Sequence, residues 1–273
     1  MSTLEVPGAR LYYEVRGEGP LLVLVPGANG DAHAFAGLAE RLARHYTVVT
    51  YDRRGFTRSA LVGAQDYARR LATDADDVRA LIESLSAAPA IVLGSSSGAV
   101  VALRLLVDHP SVVRAVVAFE PAAMRFLPDG GGDWIAFFAE LYRRYRREGP
   151  EPALAAFRER TFPPVDHEVM TRARTTDAPF GLANVTYWFE RELREYTSVE
   201  IDPESLRPWA FRLIPALGRA CAGYPNHGVT RELGRLFDRP VLELPGGHVG
   251  YVTHTAEFAD TLLARLAAAE DIR

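Results

Sequence analysis

The pentapeptide Gly94-Ser95-Ser96-Ser97-Gly98 constrains this chain more than any other stretch, because of what lies on either side of it. Ahead of it, Ala90 to Leu93 is a short apolar run with the look of a buried strand. Behind it, Gly98 to Asp108 carries its apolar residues at helical spacing. A turn that passes directly from strand to helix doubles the backbone back, and only small neighbours leave room for that. Ser96 alone has a glycine two positions away on each side, so it belongs at the apex. A hydroxyl there stands at a helix N-terminus, which favours the negative charge that develops in acyl transfer. Five small residues also suit an ordinary Ser/Gly loop; the strand before and the helix after favour a nucleophile.

The same strand-helix rhythm runs through much of the chain. Leu4–Val6 and Arg10–Arg16, joined by Pro7-Gly8, predict a hairpin. Leu21–Val25 and Thr47–Tyr51 predict strands, and Asp31–His45 and Asp74–Ser86 predict helices. Val112–Phe119 closes the series. From Ala122 to about Pro208 no short apolar strand occurs, only helical patterns, clearest over Trp134–Arg147, Pro152–Thr161 and Asn184–Tyr196. Trp209–Ala216 and Val241–Leu244 then read as strands, with Arg231–Phe237 helical between them and Thr255–Ala269 as a terminal helix. The expectation is an α/β fold with a mostly parallel sheet wrapped by helices, residues 1–121 and 209–273 forming the core and 122–208 a helical lid insertion.

Composition narrows the chemistry. All 31 basic residues are Arg, which excludes Schiff-base, PLP and P-loop chemistry, since each needs a Lys. A net charge of −4 gives no electrostatic footprint for nucleic acid. The one cysteine, Cys221, rules out an internal disulfide and suits a reducing compartment. No segment has the ~20 uninterrupted apolar residues of a membrane span, and the first residues lack the pattern of a signal peptide. A cytoplasmic protein without a membrane or nucleic-acid partner is expected. The histidines lack a zinc spacing and no dinucleotide glycine motif occurs, so neither metal nor cofactor is expected.

Four motifs, in order, resemble the α/β-hydrolase superfamily, in its serine-nucleophile branch with a helical lid. Pro26-Gly27-Ala28-Asn29 after a buried strand resembles the oxyanion-hole turn; Asp52-Arg53-Arg54-Gly55 with Ser59 resembles the D-x-R-G-x-x-x-S loop; the third is the elbow; and Pro245-Gly246-Gly247-His248 follows the last strand, where the superfamily places its catalytic histidine. The resemblance implies oxyanion donors in the amides of Ala28 and Ser97, and His248 as the base that takes the Ser96 proton and returns it to the leaving group. Two glycines before His248 let its loop swing over the sheet edge. Asp52 and Arg54 are expected to hold their loop, and His254 to be structural or to line the rim.

The chain departs from the superfamily at the triad acid. The loop that usually carries it reads Gly218-Arg219-Ala220-Cys221, and the acid position falls on Cys221. Glu120, ending the strand after the elbow helix, is the substitute; a branch of haloalkane dehalogenases places its acid there. Glu120 also suits capping of the insertion or pairing with Arg125, while Asp238 and Glu243 are poorer candidates. The insertion is rich in aromatics (Phe126, Trp134, Phe137, Phe138, Tyr142, Tyr145, Phe157, Phe162, Phe180, Tyr187, Trp188 and Phe189); most are expected in the core of the lid and some to line a largely apolar pocket. The Arg-rich run Tyr142–Arg147 suits a solvated helix face, or else an anionic or carrier-protein partner. The expected function is a serine hydrolase acting on a carboxylic ester, lactone or thioester of a hydrophobic small molecule. A cofactor-free lyase, isomerase or cyclase of the same fold, and a non-catalytic binder, are the alternatives, and a homodimer stays open.

Overall fold

A computed structural model describes residues 2–28, 30–173 and 179–270. Asn29 of the expected oxyanion turn therefore lies outside the described residues, as do the extreme ends and residues 174–178 of the ranges expected for core and insertion. The strands are β1 (Ser2–Val6), β2 (Ala9–Arg16), β3 (Leu21–Val25), β4 (Thr47–Tyr51), β5 (Ala60–Leu61), β6 (Ala90–Ser95), β7 (Val113–Phe119), β8 (Leu213–Gly218) and β9 (Leu242–Leu244). Among the described residues they form one sheet in the order β1-β2-β4-β3-β6-β7-β8-β9, with the short β5 on β2. β1, β2 and β5 pair antiparallel; every neighbour from β4 to β9 is parallel.

The parallel strands explain the wholly apolar runs. β3, β6 and β8 are buried along their full length, because helices cover both faces. α1 (Ala36–Leu42) packs on α12 (Thr255–Glu270) on one face, and α2 (Arg70–Leu85) on α3 (Ser97–Asp108) on the other. The opening hairpin turns through Pro7-Gly8 as expected, Gly8 taking the positive φ of 80° that a Pro-Gly turn needs at its second central residue.

Between β7 and β8 the described residues are helical: α4 (Gly132–Glu148), α5 (Pro150–Thr161), α6 (Pro164–Ala173), α7 (Gly181–Arg191), α8 (Leu193–Thr197) and α9 (Pro203–Leu206). α10 (Pro225–Leu236) follows β8, and α11 (Gly250–Thr253) precedes α12. No helix among the described residues is long and apolar enough to cross a membrane.

The helix expected over Arg231–Phe237 opens already at Pro225, a residue suited to a helix's first turn, and ends at Leu236; three further expectations need correction. The strand expected over Trp209–Ala216 begins only at Leu213, because Pro208 opens a 3-10 turn over Arg207–Arg212. That turn is fastened by the Arg212 guanidinium, which donates to the carbonyls of Pro110 and Val113. The continuous helix expected over Asn184–Tyr196 breaks at Glu192, whose backbone leaves helical geometry while its carboxylate is drawn inward to Arg53 and Arg70. The helix expected from Asp31 starts as a 3-10 turn, with the Asp31 carboxylate accepting from the His33 N–H at 2.7 Å, and ends at Leu42.

Candidate active site

The elbow forms where β6 meets α3. Ser96 sits at φ 56° and ψ −118°, a strained setting for a residue with a Cβ. Its N–H donates to the Phe119 carbonyl at 2.9 Å, and its carbonyl accepts from Ala99 at 3.0 Å, so strand and helix both fix it. The two flanking glycines are steric requirements. A Cβ on Gly94 would lie 2.2 Å from the Gly98 carbonyl oxygen, and one on Gly98 would lie 2.1 Å from the Val25 carbonyl oxygen.

His248 enters from the loop after β9. Its Nδ1 lies 2.5 Å from Oε2 of Glu120, with both side chains almost wholly buried. An ionised carboxylate can only accept, so the contact puts the ring proton on Nδ1 and leaves Nε2 with a lone pair. Glu120 is itself held in a positive-φ conformation (47°) directly after β7. Its N–H donates to the Ala216 carbonyl at 2.9 Å, its Oε1 accepts the Gly218 N–H at 3.0 Å, and its carbonyl accepts from Asn226 Nδ2 at 2.9 Å. Pairing with Arg125 does not occur; that guanidinium lies 3.8 Å from Glu200 instead.

Cys221 stands beside this pair. Burial first, then the charge of Glu120 and the thiol's hydrogen bond to it, push the Cys221 thiol far above the usual range. The residue at the superfamily's usual acid position thus lies beside the carboxylate that contacts the histidine.

The sequence reading missed Asp166. Carried on α6 and fully buried, its carboxylate accepts from the backbone N–H groups of His248 at 2.6 Å and Val249 at 3.4 Å. Desolvation pushes this carboxyl up, against the opposing pull of His248 and the two N–H groups. A Cβ on Gly247 would lie 2.3 Å from Asp166 Oδ2, so that glycine serves a close approach as well as loop freedom. The one signal in the sequence is Pro163-Pro164 ahead of a short polar-apolar run, which marks a helix start but not the partner of its carboxylate.

Ser96 and His248 line a common cleft of about 390 Å³, walled chiefly by Pro26, Ala34, Val169, Met170, Tyr251 and Val252. On the other side of Ser96 lies a chamber of only about 20 Å³, bordered by Ala28 and Ser97 and by Phe138, Phe157, Phe162 and Trp188. These four of the insertion's aromatics wall the small chamber, and the larger cleft draws its lining from elsewhere. Ser97 is the first residue of α3, where an N–H has no acceptor within the helix.

The remaining expected residues hold structure. Asp52 accepts from the Ala32 N–H at 2.9 Å and from Arg58 Nε at 2.6 Å, while the Ser59 hydroxyl donates to the Asp52 carbonyl at 2.6 Å. Arg54 pairs with Asp77. His254 faces Thr253 Oγ1 at 2.9 Å and is not among the residues lining the cleft. Arg143, Arg144, Arg146 and Arg147 each meet Glu140, Glu148 or Glu190, the pattern of a solvated helix face. No group of three His, Cys, Asp or Glu placed to hold a metal ion occurs among the described residues.

A family model described as the alpha/beta hydrolase fold matches residues 20–190. The chain is 33% identical over 264 residues to the uncharacterized hydrolase YraK of Bacillus subtilis (strain 168), covering 95% of this chain and 93% of that protein. It is 34% identical over 122 residues to a zearalenone hydrolase of Bionectria ochroleuca, covering 44% of this chain and 46% of that protein. Among solved structures, the enol-lactonase from Burkholderia xenovorans LB400 superposes with a TM-score of 0.71 at 21% identity, covering 97% of this chain and all of that one. A thermophilic esterase from Thermogutta terrifontis gives 0.75 at 17% identity, covering 98% and 99%. At these identities the two structures speak for the fold alone.

Proposed function

The chain belongs to the α/β-hydrolase-fold family, and from that premise we propose that it is a serine hydrolase cleaving a carboxylic ester, lactone or thioester of a hydrophobic small molecule. The observation that carries the proposal is the 2.5 Å contact of Glu120 with His248 Nδ1, in the same cleft as a strained Ser96. With Nδ1 holding its proton, Nε2 takes the Ser96 proton as Oγ bonds to the substrate's carbonyl carbon. The amides of Ala28 and Ser97 receive the oxyanion. His248 then gives the proton to the leaving atom as its bond to the acyl carbon breaks, and water repeats the sequence to free the acid.

A lyase or isomerase of the same fold would be favoured by an incomplete triad, and the contact of Glu120 with His248 weighs against it. The helices between β7 and β8 act as the lid, and the apolar walls of the cleft favour a hydrophobic substrate. The hydrolase of Bacillus subtilis, similar over nearly the whole chain, points the same way. The reading is tested with a fluorophosphonate probe on the purified protein. Covalent labelling that vanishes in Ser96→Ala is expected; an unlabelled wild-type protein contradicts an activated serine.

A further inference from the structure

The two cavities flanking Ser96 differ in more than size. His248 lines the 390 Å³ cleft but not the 20 Å³ chamber, and the ring of Phe162, its centroid 4.4 Å from that of the imidazole, forms chamber wall. A general acid must reach the leaving atom, so the leaving group belongs on the histidine's side, in the cleft. The acyl substituent is left with the chamber, bordered by both expected oxyanion residues. Its volume suits about one or two non-hydrogen atoms, since a single water needs roughly 10–15 Å³ by the same measure.

Among the polar side chains that break the chamber's aromatic lining are Thr161 (2% exposed), Asn226 (3%) and Glu192 (1%). Each has a buried oxygen without a hydrogen-bond partner among the described residues, namely Thr161 Oγ1, Asn226 Oδ1 and Glu192 Oε2. The orientation of the Asn226 amide follows from its Nδ2, which donates to the Glu120 carbonyl, so the atom left over is an acceptor. Glu192 spends only Oε1 on Arg53 and Arg70. A buried polar atom without a partner is costly, and two acceptors and a hydroxyl on residues that border one small space favour a donor within it.

We propose that the chamber is an acyl subsite for a two-carbon acyl group bearing a hydrogen-bond donor, a hydroxyacetyl group being the simplest, and that the cleft receives a bulky apolar alcohol. The inference rests on the serine-hydrolase reading and names its substrate class. An acyl chain of four or more carbons meets Phe138, Phe157 and Trp188. A hydroxyl on the second carbon meets Thr161, Asn226 and Glu192.

The test compares kcat/KM of the full-length protein on 2-naphthyl esters of hydroxyacetate, methoxyacetate, acetate, butanoate and octanoate. Methoxyacetate withdraws electrons much as hydroxyacetate does but lacks the donor and adds a carbon, so the ratio reports donor and size together, and its change in a variant of unchanged volume isolates the donor. The expected ratio is at least about tenfold in favour of hydroxyacetate, with octanoate poorest. It should fall severalfold in Thr161→Val, which keeps the volume, and persist in Thr161→Ser, which keeps the hydroxyl. A ratio near one, a rate that rises with chain length, or a ratio unmoved by Thr161→Val overturns the inference. If every ester is inert while a fluorophosphonate still labels Ser96, the inference falls and the hydrolase reading stands. If Ser96 is also unlabelled, the hydrolase reading falls first.

Discussion

Two buried carboxylates converge on His248 and act on different parts of it. Glu120 meets the ring, whereas Asp166 holds the backbone through the N–H groups of His248 and Val249. Removing the second should spare the reacting groups and shift them. Asp166→Ala is expected to lower kcat/KM by about 10²-fold, the scale of an ångström of misplacement. It should also lower stability by about 1–3 kcal/mol through an unsatisfied buried N–H. Steady-state kinetics beside thermal melting check both, and unchanged kcat/KM would show that the loop holds its place unaided. Cys221 yields a second expectation at this scale. A buried thiol pushed far upward beside Glu120 should resist iodoacetamide in the native protein at pH 8 and react once denatured; native alkylation would contradict its placement. The placement of Ser96, Ala28 and His248 around one cleft was legible because each lies in a contiguous motif whose small residues announce the turn. Asp166 was not, because its partners lie 82 and 83 residues away and only the docking of α6 brings them together.

At the scale of elements, a buried ionic cluster ties the helices after β7 to the core. Arg53, from the loop after β4, and Arg70, opening α2, share Glu192 at the break between α7 and α8. Asp74 completes the group, taking Arg70 Nε at 3.2 Å and the Tyr196 hydroxyl. Taking one charge from such a set leaves another buried and unpaired, so Glu192→Gln should cost about 3–5 kcal/mol, read as a lower urea midpoint. A midpoint within error of wild type would mean that the cluster adds no net stability. The strands β3, β4, β6 and β7 stood out in the sequence because burial on both faces demands apolar runs. The helix break at Glu192 did not, since local periodicity continues through it and the cause is an ion pair 139 residues away. The late start of β8 has a similar origin: Trp209 and Phe211 alternate as in a strand, yet Pro208 and the Arg212 contacts impose a turn.

Across the whole molecule, the sheet gathers its chemistry at one edge. Ser96 follows β6, Glu120 follows β7, Cys221 follows β8 and His248 follows β9, each near the carboxyl end of a parallel strand. The strand order makes β6, β7, β8 and β9 successive neighbours, which is why an acid after β7 can stand in for one expected after β8. The four-motif resemblance made the fold legible from the sequence, and it placed Glu120 at the right edge. The division of space on either side of Ser96 was beyond sequence, because it depends on how six helices settle over the sheet. The account turns on Glu120 serving His248, and the substitution Glu120→Gln tests that most directly, since it keeps the shape and removes the charge. With an ester that the wild-type protein turns over, kcat is predicted to fall by about 10³–10⁴-fold while fold and thermal midpoint stay near wild type. Turnover close to wild type in Glu120→Gln would contradict the account.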